Sequence, residues 1–277
     1  DQVFVGVGSD DVLAMSFLTF FNSDKPVLFP DVTYSFYKVW ADLFKVPFET
    51  PVLKEDFTID VKDYEKENGG VIFPNPNAPT GVYMPLDQVE EILKANQDVV
   101  VIVDEAYVDF AGPSALELLD KYENLLVVQT FSKSRSMAGM RIGFAMGHPD
   151  LIRALNDVKY SYNSYTMNLP SLLAGVEAVK DKEYFEKTIE KIVATREHAK
   201  KRLTELGFTF PNSQSNFIFA SHKSVPAEKI FEALKKEQIY VRYFKTPGLD
   251  NSLRISIGTD EEMDTLFRFL EAYLPNA

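Results

Sequence analysis

The sequence predicts an α/β fold: a mostly parallel sheet sandwiched by helices, followed by a smaller C-terminal α+β unit. Short apolar runs alternate with helical patterns through the first half, as successive βαβ units require. The run "VVVIV" at 99–103 is apolar at every position, which suits a central parallel strand covered on both faces. After Pro149 the texture changes to charged helical patterns and short, isolated strands. The expected division is a large unit over 1–165 and a small unit over 166–277.

In the large unit, strands are expected at 27–29, 71–73, 99–103, 125–130 and 142–146. Helical patterns at 10–21, 34–44, 86–96 and 114–120 lie between them. One long helical pattern, 170–206, joins the units and ends at Gly207, which can take the left-handed conformation that closes a helix. Strands at 216–220, 240–242 and 253–257, with helices at 226–237 and 260–273, complete the small unit.

Composition narrows the functions. With 45% hydrophobic and 25% charged residues the chain matches an ordinary globular protein. A formal net charge of −12 offers no basic field for nucleic acid or for an acidic membrane surface. A small anion needs only a local pocket of donors and stays possible. No cysteine is present, so disulfides, thiolate metal sites and cysteine nucleophiles are excluded. His148, His198 and His222 lack ligand spacing, and no metal site is expected. No apolar run reaches the length of a membrane span and the amino end is unlike a signal peptide, so a cytoplasmic setting is expected.

Four stretches fall at strand carboxyl ends or helix starts, where open α/β sheets bind ligands. "GVGSDDVLAMSF" (6–17) places Ser9 and Asp10 at a helix start, as ordinary caps or as part of an anion site built on free backbone N–H groups. "VIFPNPNAPTGVYMP" (71–85) is a proline-stiffened loop that holds Asn75 and Asn77 in place; alone it reads as a structural turn. "VVVIVDEAYVDF" (99–110) ends a buried strand on Asp104, a costly place for a carboxylate without a cationic or hydrogen-bonding partner. "TFSKSRSMAGMRIGF" (130–144) puts Lys133 just past a strand end, where partial desolvation would free its amine as a nucleophile. Ser132 and Arg141 supply donors beside it.

A lone "SK" is most often a surface lysine, but the four stretches together read differently. An anion cup (Ser9, Asp10, Ser132, Arg141), an activated lysine (Lys133) and a buried acid (Asp104) are what pyridoxal 5′-phosphate (PLP) requires. Tyr34, at a helix start, could stack on its ring or simply pack in the core.

The order GSD, TYSFY, PNAPTG, DEAY, SK-x7-R, LRISIGT resembles the fold-type-I PLP-dependent aminotransferases, and within them the histidinol-phosphate branch, from residue 3 to about 273. The resemblance implies a PLP-binding large domain and transamination between histidinol phosphate and 2-oxoglutarate or glutamate, in histidine biosynthesis. It implies Lys133 as the Schiff-base lysine, Asp104 as partner of the ring nitrogen, Tyr107 at the ring oxygen and Tyr34 on the ring face. Ser9, Asp10, Ser132 and Arg141 would hold the phosphate. Arg254, in "LRISIGT", would grip the substrate carboxylate, and Arg242, in "YVRYF", would lie near the substrate phosphate. Because only one of the two substrates carries an α-carboxylate, Arg254 would have to serve both.

Two departures from the family pattern stand out. The usual asparagine before Pro79 is Ala78, so either Asn77 meets the ring oxygen from one residue earlier or Tyr107 acts alone. The chain begins at Asp1, close to where the family's cofactor domain starts. The family forms homodimers with an amino-terminal arm crossing to the partner. The expectation is therefore a form without that arm, binding PLP weakly and turning over poorly. The rival readings are an aromatic or broad-specificity aminotransferase, a PLP decarboxylase of a phosphorylated amino acid, and a non-catalytic PLP-fold module.

Overall fold

A computed structural model describes all 277 residues. The chain opens with β1 (Val3–Gly6), α1 (Ser9–Phe20), β2 (Val27–Leu28), α2 (Phe36–Phe44) and β3 (Phe48–Glu49). It continues through β4 (Gly70–Pro74), α3 (Leu86–Ala95), β5 (Val101–Asp104), β6 (Leu125–Thr130) and β7 (Gly143–Gly147). These strands form one sheet in the order β1-β7-β6-β5-β4-β2-β3. Pairing is parallel from β3 to β6; β7 runs antiparallel to both its neighbours. The sheet is mostly parallel, as the alternating pattern implies.

Side-chain alternation explains the two-sided burial of β5. Ile102 packs with Phe17, Trp40 and Ile152 on one face, while Val101 and Val103 pack with Val89, Ile92 and Leu93 of α3 on the other. Each fully buried side chain of this size contributes roughly 1.5–3 kcal/mol. With both faces sealed, the open end of the sheet is where polar groups can gather.

Past the first sheet come α4 (Pro149–Tyr162), α5 (Leu169–Lys180), α6 (Lys182–Glu205), β8 (Phe208–Thr209) and β9 (Phe217–His222). α7 (Ala227–Lys236), β10 (Arg242–Tyr243), β11 (Leu253–Ser256) and α8 (Asp260–Tyr273) follow. The second sheet has the order β10-β11-β9-β8. Ile218 and Ala220 of β9 point into a core with Leu203, Ile230 and Phe267 from its helices. Phe217 and Phe219, on the opposite side of β9, meet Tyr107 and Phe57 at ring-centroid distances of 5.0 and 5.9 Å. One face of the small sheet therefore looks at the open end of the large one.

Several expectations need correction. The single helix expected over 170–206 is two helices, because Asp181 leaves the helical conformation and its Oδ1 accepts the Tyr184 N–H at 3.2 Å, capping α6. The helical pattern at 114–120 shrinks to one 3-10 turn, Ala115–Leu118, capped by Ser114. β1, β3, β8 and α4 were not expected. Three of these are strands of two to four residues, too short for a periodic signal, and α4 begins on Pro149, which sits in its first turn. Gly207 does take φ +84° at the end of α6.

Candidate active site

The four stretches converge. A cleft of about 170 Å³ is lined by Ser9, Asp10, Tyr34, Asp104, Tyr107, Ser132, Lys133 and Arg141, with Ala78 in its wall. A larger, open cavity of about 480 Å³ beside residues 55–58 holds no lysine, arginine or histidine. Chemistry, not size, picks out the smaller one.

Its anion side is built by close backbone approach. Gly8, at φ +89°, precedes α1, and a Cβ there would run into the Arg141 guanidinium. Neither Ser9 nor Asp10 caps α1, contrary to the capping alternative. Instead both lie within its first turn, where backbone N–H groups have no intrahelical acceptor and the helix dipole favours an anion. The Asp10 carboxylate is turned to Tyr34, whose hydroxyl donates to Oδ1 at 2.8 Å. Arg141 holds a left-handed φ of +53°, a strained choice for a non-glycine residue, and donates to the Ala138 carbonyl at 3.0 Å. Ser132 accepts from the Thr130 hydroxyl at 3.0 Å.

Asp104 ends β5 and is buried. The Tyr37 hydroxyl donates to its Oδ2 at 2.7 Å and the Ala106 N–H to its Oδ1 at 3.2 Å. Burial pushes its pKa up to about 6, against the pull of those donors. Neighbouring Glu105 is buried too. It accepts from Ser114 Oγ at 2.5 Å, Ala115 N–H at 2.6 Å and Gln129 Nε2 at 2.8 Å, and burial pushes it up to about 7. The two adjacent acids thus face different partners, Asp104 in the cleft wall and Glu105 bracing the next loop.

Lys133 is exposed rather than partly desolvated; its Nζ lies 5.3 Å from the centre of the Tyr107 ring. Its loop is tethered on both sides. Ser134 donates to Asp109, and Arg135 sits between the Phe131 and Phe185 rings with Nη1 donating to the Ala178 carbonyl at 2.6 Å. Arg135 is thus an anchor for the lysine loop, and Arg141 faces the cleft.

Asn77 is not brought into the cleft. Its amide donates to the Val32 carbonyl and to Thr80 Oγ1, both at 3.0 Å, which uses both of its hydrogens. Arg254 and Arg242 lie outside the cleft wall but on the facing small sheet, as register partners across β10 and β11. The Arg254 guanidinium lies 5.0 Å from the Phe217 ring centre, and Phe217 in turn touches Tyr107. Tyr37 was missed by sequence reasoning. It is the third residue after Tyr34 in "TYSFY", and alone it reads as core.

Comparison with known proteins settles the family. The model of the family described as aminotransferase class I and II matches residues 1–270. The chain belongs to that family. A histidinol-phosphate aminotransferase of Brachyspira hyodysenteriae is 50% identical over 100% of this chain and 78% of its own length. One from Clostridium acetobutylicum is 55% identical, over 95% of this chain and 74% of its own length. Among solved structures, a histidinol-phosphate aminotransferase of Sinorhizobium meliloti in complex with pyridoxal-5′-phosphate shares the fold at a TM-score of 0.87. It is 23% identical, over 99% of this chain and 76% of that one. For this aminotransferase, the donor set fits a phosphorylated pyridine. First-turn N–H groups and Arg141 suit a phosphate, a buried acid suits a ring cation, and an amine lines the same cleft.

Proposed function

We propose that this aminotransferase uses PLP to exchange an amino group reversibly between the pair histidinol phosphate and 2-oxoglutarate and the pair imidazole acetol phosphate and glutamate, a step of histidine biosynthesis. The observation that carries the chemistry is the single cleft joining Lys133, Asp104 and the Arg141–α1 anion cup. The substrate follows from relatives about half identical over nearly the whole chain.

Bound PLP would supply a carbonyl for the substrate amine and a protonated ring that draws electrons from its Cα. Lys133 is the group that takes the Cα proton, its amine serving first as nucleophile and then as general base. Asp104 would hold the positive charge at the ring nitrogen. Ser9 and Asp10 N–H groups, Ser132 and Arg141 would hold the phosphate; Tyr34 would cover the ring and Tyr107 would meet its oxygen. Arg254 and Arg242 orient the substrate's anionic groups from the facing sheet. Asn77 has no part in this set, since its amide is committed elsewhere.

Three finer points belong to the same proposal. The chain divides at 165/166, within the loop between α4 and α5, and limited proteolysis should cut there first. It works as a homodimer: Leu169, Leu172, Leu173, Val176 and Val179 leave an apolar stripe exposed along α5. A monomeric mass at micromolar concentration would count against that. The setting is cytoplasmic, in keeping with a cysteine-free chain; recovery of the activity with membranes would count against it.

The test is to add PLP, 2-oxoglutarate and each amino donor in turn to the purified chain and follow 2-oxoglutarate consumption and keto-product formation. Turnover of histidinol phosphate well above that of aromatic amino acids is expected. Release of carbon dioxide, or a PLP complex that never exchanges amino groups, would overturn the proposal.

A further inference from the structure

The mechanism above gives Tyr37 no task, yet its hydroxyl is the side-chain group hydrogen-bonded to Asp104, at 2.7 Å from Oδ2. The Ala106 N–H takes the other oxygen. A carboxylate at a strand tip can turn about its terminal torsion, and one donor on each oxygen removes that freedom. Nor can the tyrosine move. Its ring is wholly buried among Phe17, Phe29, Tyr34 and Trp40, with centroid distances of 6.3, 5.9, 5.8 and 6.3 Å. The phenol oxygen is therefore placed by the packing of α2 on the sheet, and Asp104 by the phenol.

We propose that Tyr37 is a positioning residue, whose hydroxyl fixes the Asp104 carboxylate so that its remaining lone pairs face a protonated ring nitrogen in the cleft. The inference rests on the reading of Asp104 as the ring-nitrogen partner and deepens it. Tyr37 also keeps that carboxylate charged. Around Asp104, α1 brings the repelling charge of Asp10, the loop after β6 brings the attracting charge of Lys133, and α2 brings Tyr37 itself. Burial opposes ionisation, and the Tyr37 hydrogen bond is the largest influence working against burial. The phenol stays protonated throughout, since its own ionisation is pushed well up by burial and by Asp104.

Tyr37→Phe removes the hydroxyl and keeps the ring. The measurement is the PLP dissociation constant of the full chain, followed by absorbance from about pH 6.5 to about pH 9. It is made in Tyr37→Phe, in Asp104→Asn and in the double variant. Losing a hydrogen bond to a charged group should weaken PLP binding about tenfold near neutrality. The deficit should shrink toward alkaline pH, as Asp104 ionises without help. In the Asp104→Asn background the same change should matter less than about twofold, because residues that act through one another are not additive.

A penalty equal at every pH, or equal in both backgrounds, would mean that Tyr37 only packs, and would overturn the proposal. If Asp104→Asn alone leaves PLP affinity and turnover at parental levels, the reading of Asp104 fails, and the proposal with it. Should Tyr37→Phe fold poorly, Tyr37→difluorotyrosine keeps the shape and makes a stronger donor. It should move the pH midpoint of PLP binding downward; an unmoved midpoint would overturn the proposal.

Discussion

Around Asp104 the charged and polar groups are already paired: Tyr37 and Ala106 hold Asp104, Tyr34 holds Asp10, and three donors hold Glu105. On the facing sheet the opposite holds. Arg242 and Arg254 stand directly across from each other in register, although like charges at such a position repel. The Arg254 Nε is buried with no hydrogen-bond partner, and both guanidiniums rest over the Phe244 ring, at 5.5 and 5.9 Å. Aromatic faces soften the repulsion but leave the donors unused. One region is preorganised by its internal hydrogen bonds, in line with the proposed resident cofactor. The other has guanidinium donors without partners, as the proposed binding of passing substrate anions requires.

The comparison can be broken most directly at Lys133. Lys133→Ala removes nucleophile and base together, so transamination should fall on the order of 10⁴-fold or more, read as 2-oxoglutarate consumed. Near-parental turnover would leave the preorganised region without its chemistry. Asp104→Asn should lower turnover on the order of 10²-fold or more, while Lys133 still engages PLP and the visible absorbance persists. An equally active variant would make Asp104 a structural acid.

The open region predicts a different kind of loss. Arg254→Ala should raise KM in both half-reactions, by up to about a hundredfold, because a charge-assisted contact is removed from both substrates. An effect on glutamate alone would end the idea of a shared arginine. Arg141→Ala, at the exposed edge of the cup, should weaken PLP about tenfold and change proton transfer little. Unaltered PLP affinity would place Arg141 outside the cup.

The smallest effect concerns stability and sharpens the contrast between the two adjacent acids. Burial raises Glu105 to about 7, above its ordinary value of 4.5, so the folded state binds the extra proton between those limits. Stability from this group is present below pH 4.5 and is lost as pH rises through about 7. The change is on the order of 3 kcal/mol at most. Glu105→Gln cannot titrate, so its melting temperature should vary less than the parent's between those pH values. Parallel curves would show that Glu105 is not the titrating group.

The residues themselves determined a good deal about this protein. The apolar run ending at Val103 could only be satisfied by a strand covered on both faces, and that placed Asp104 at a buried strand tip. The spacing from Ser132 through Lys133 to Arg141, and the glycine before Ser9, marked the two walls of one cleft. These signals are local: a strand's period, a glycine's freedom and a lysine's place just past a strand end are all visible within a few residues. What tertiary structure decided is which groups meet. Tyr37 and Asp104 are 67 residues apart, and nothing in either stretch names the other. Asn77 looked available until Val32 and Thr80 took its amide. Arg242 and Arg254 became a facing pair only through the register of β10 on β11. Hydrogen bonds are short-ranged and directional, so partner choice depends on ångström-scale placement, which packing sets and sequence spacing does not.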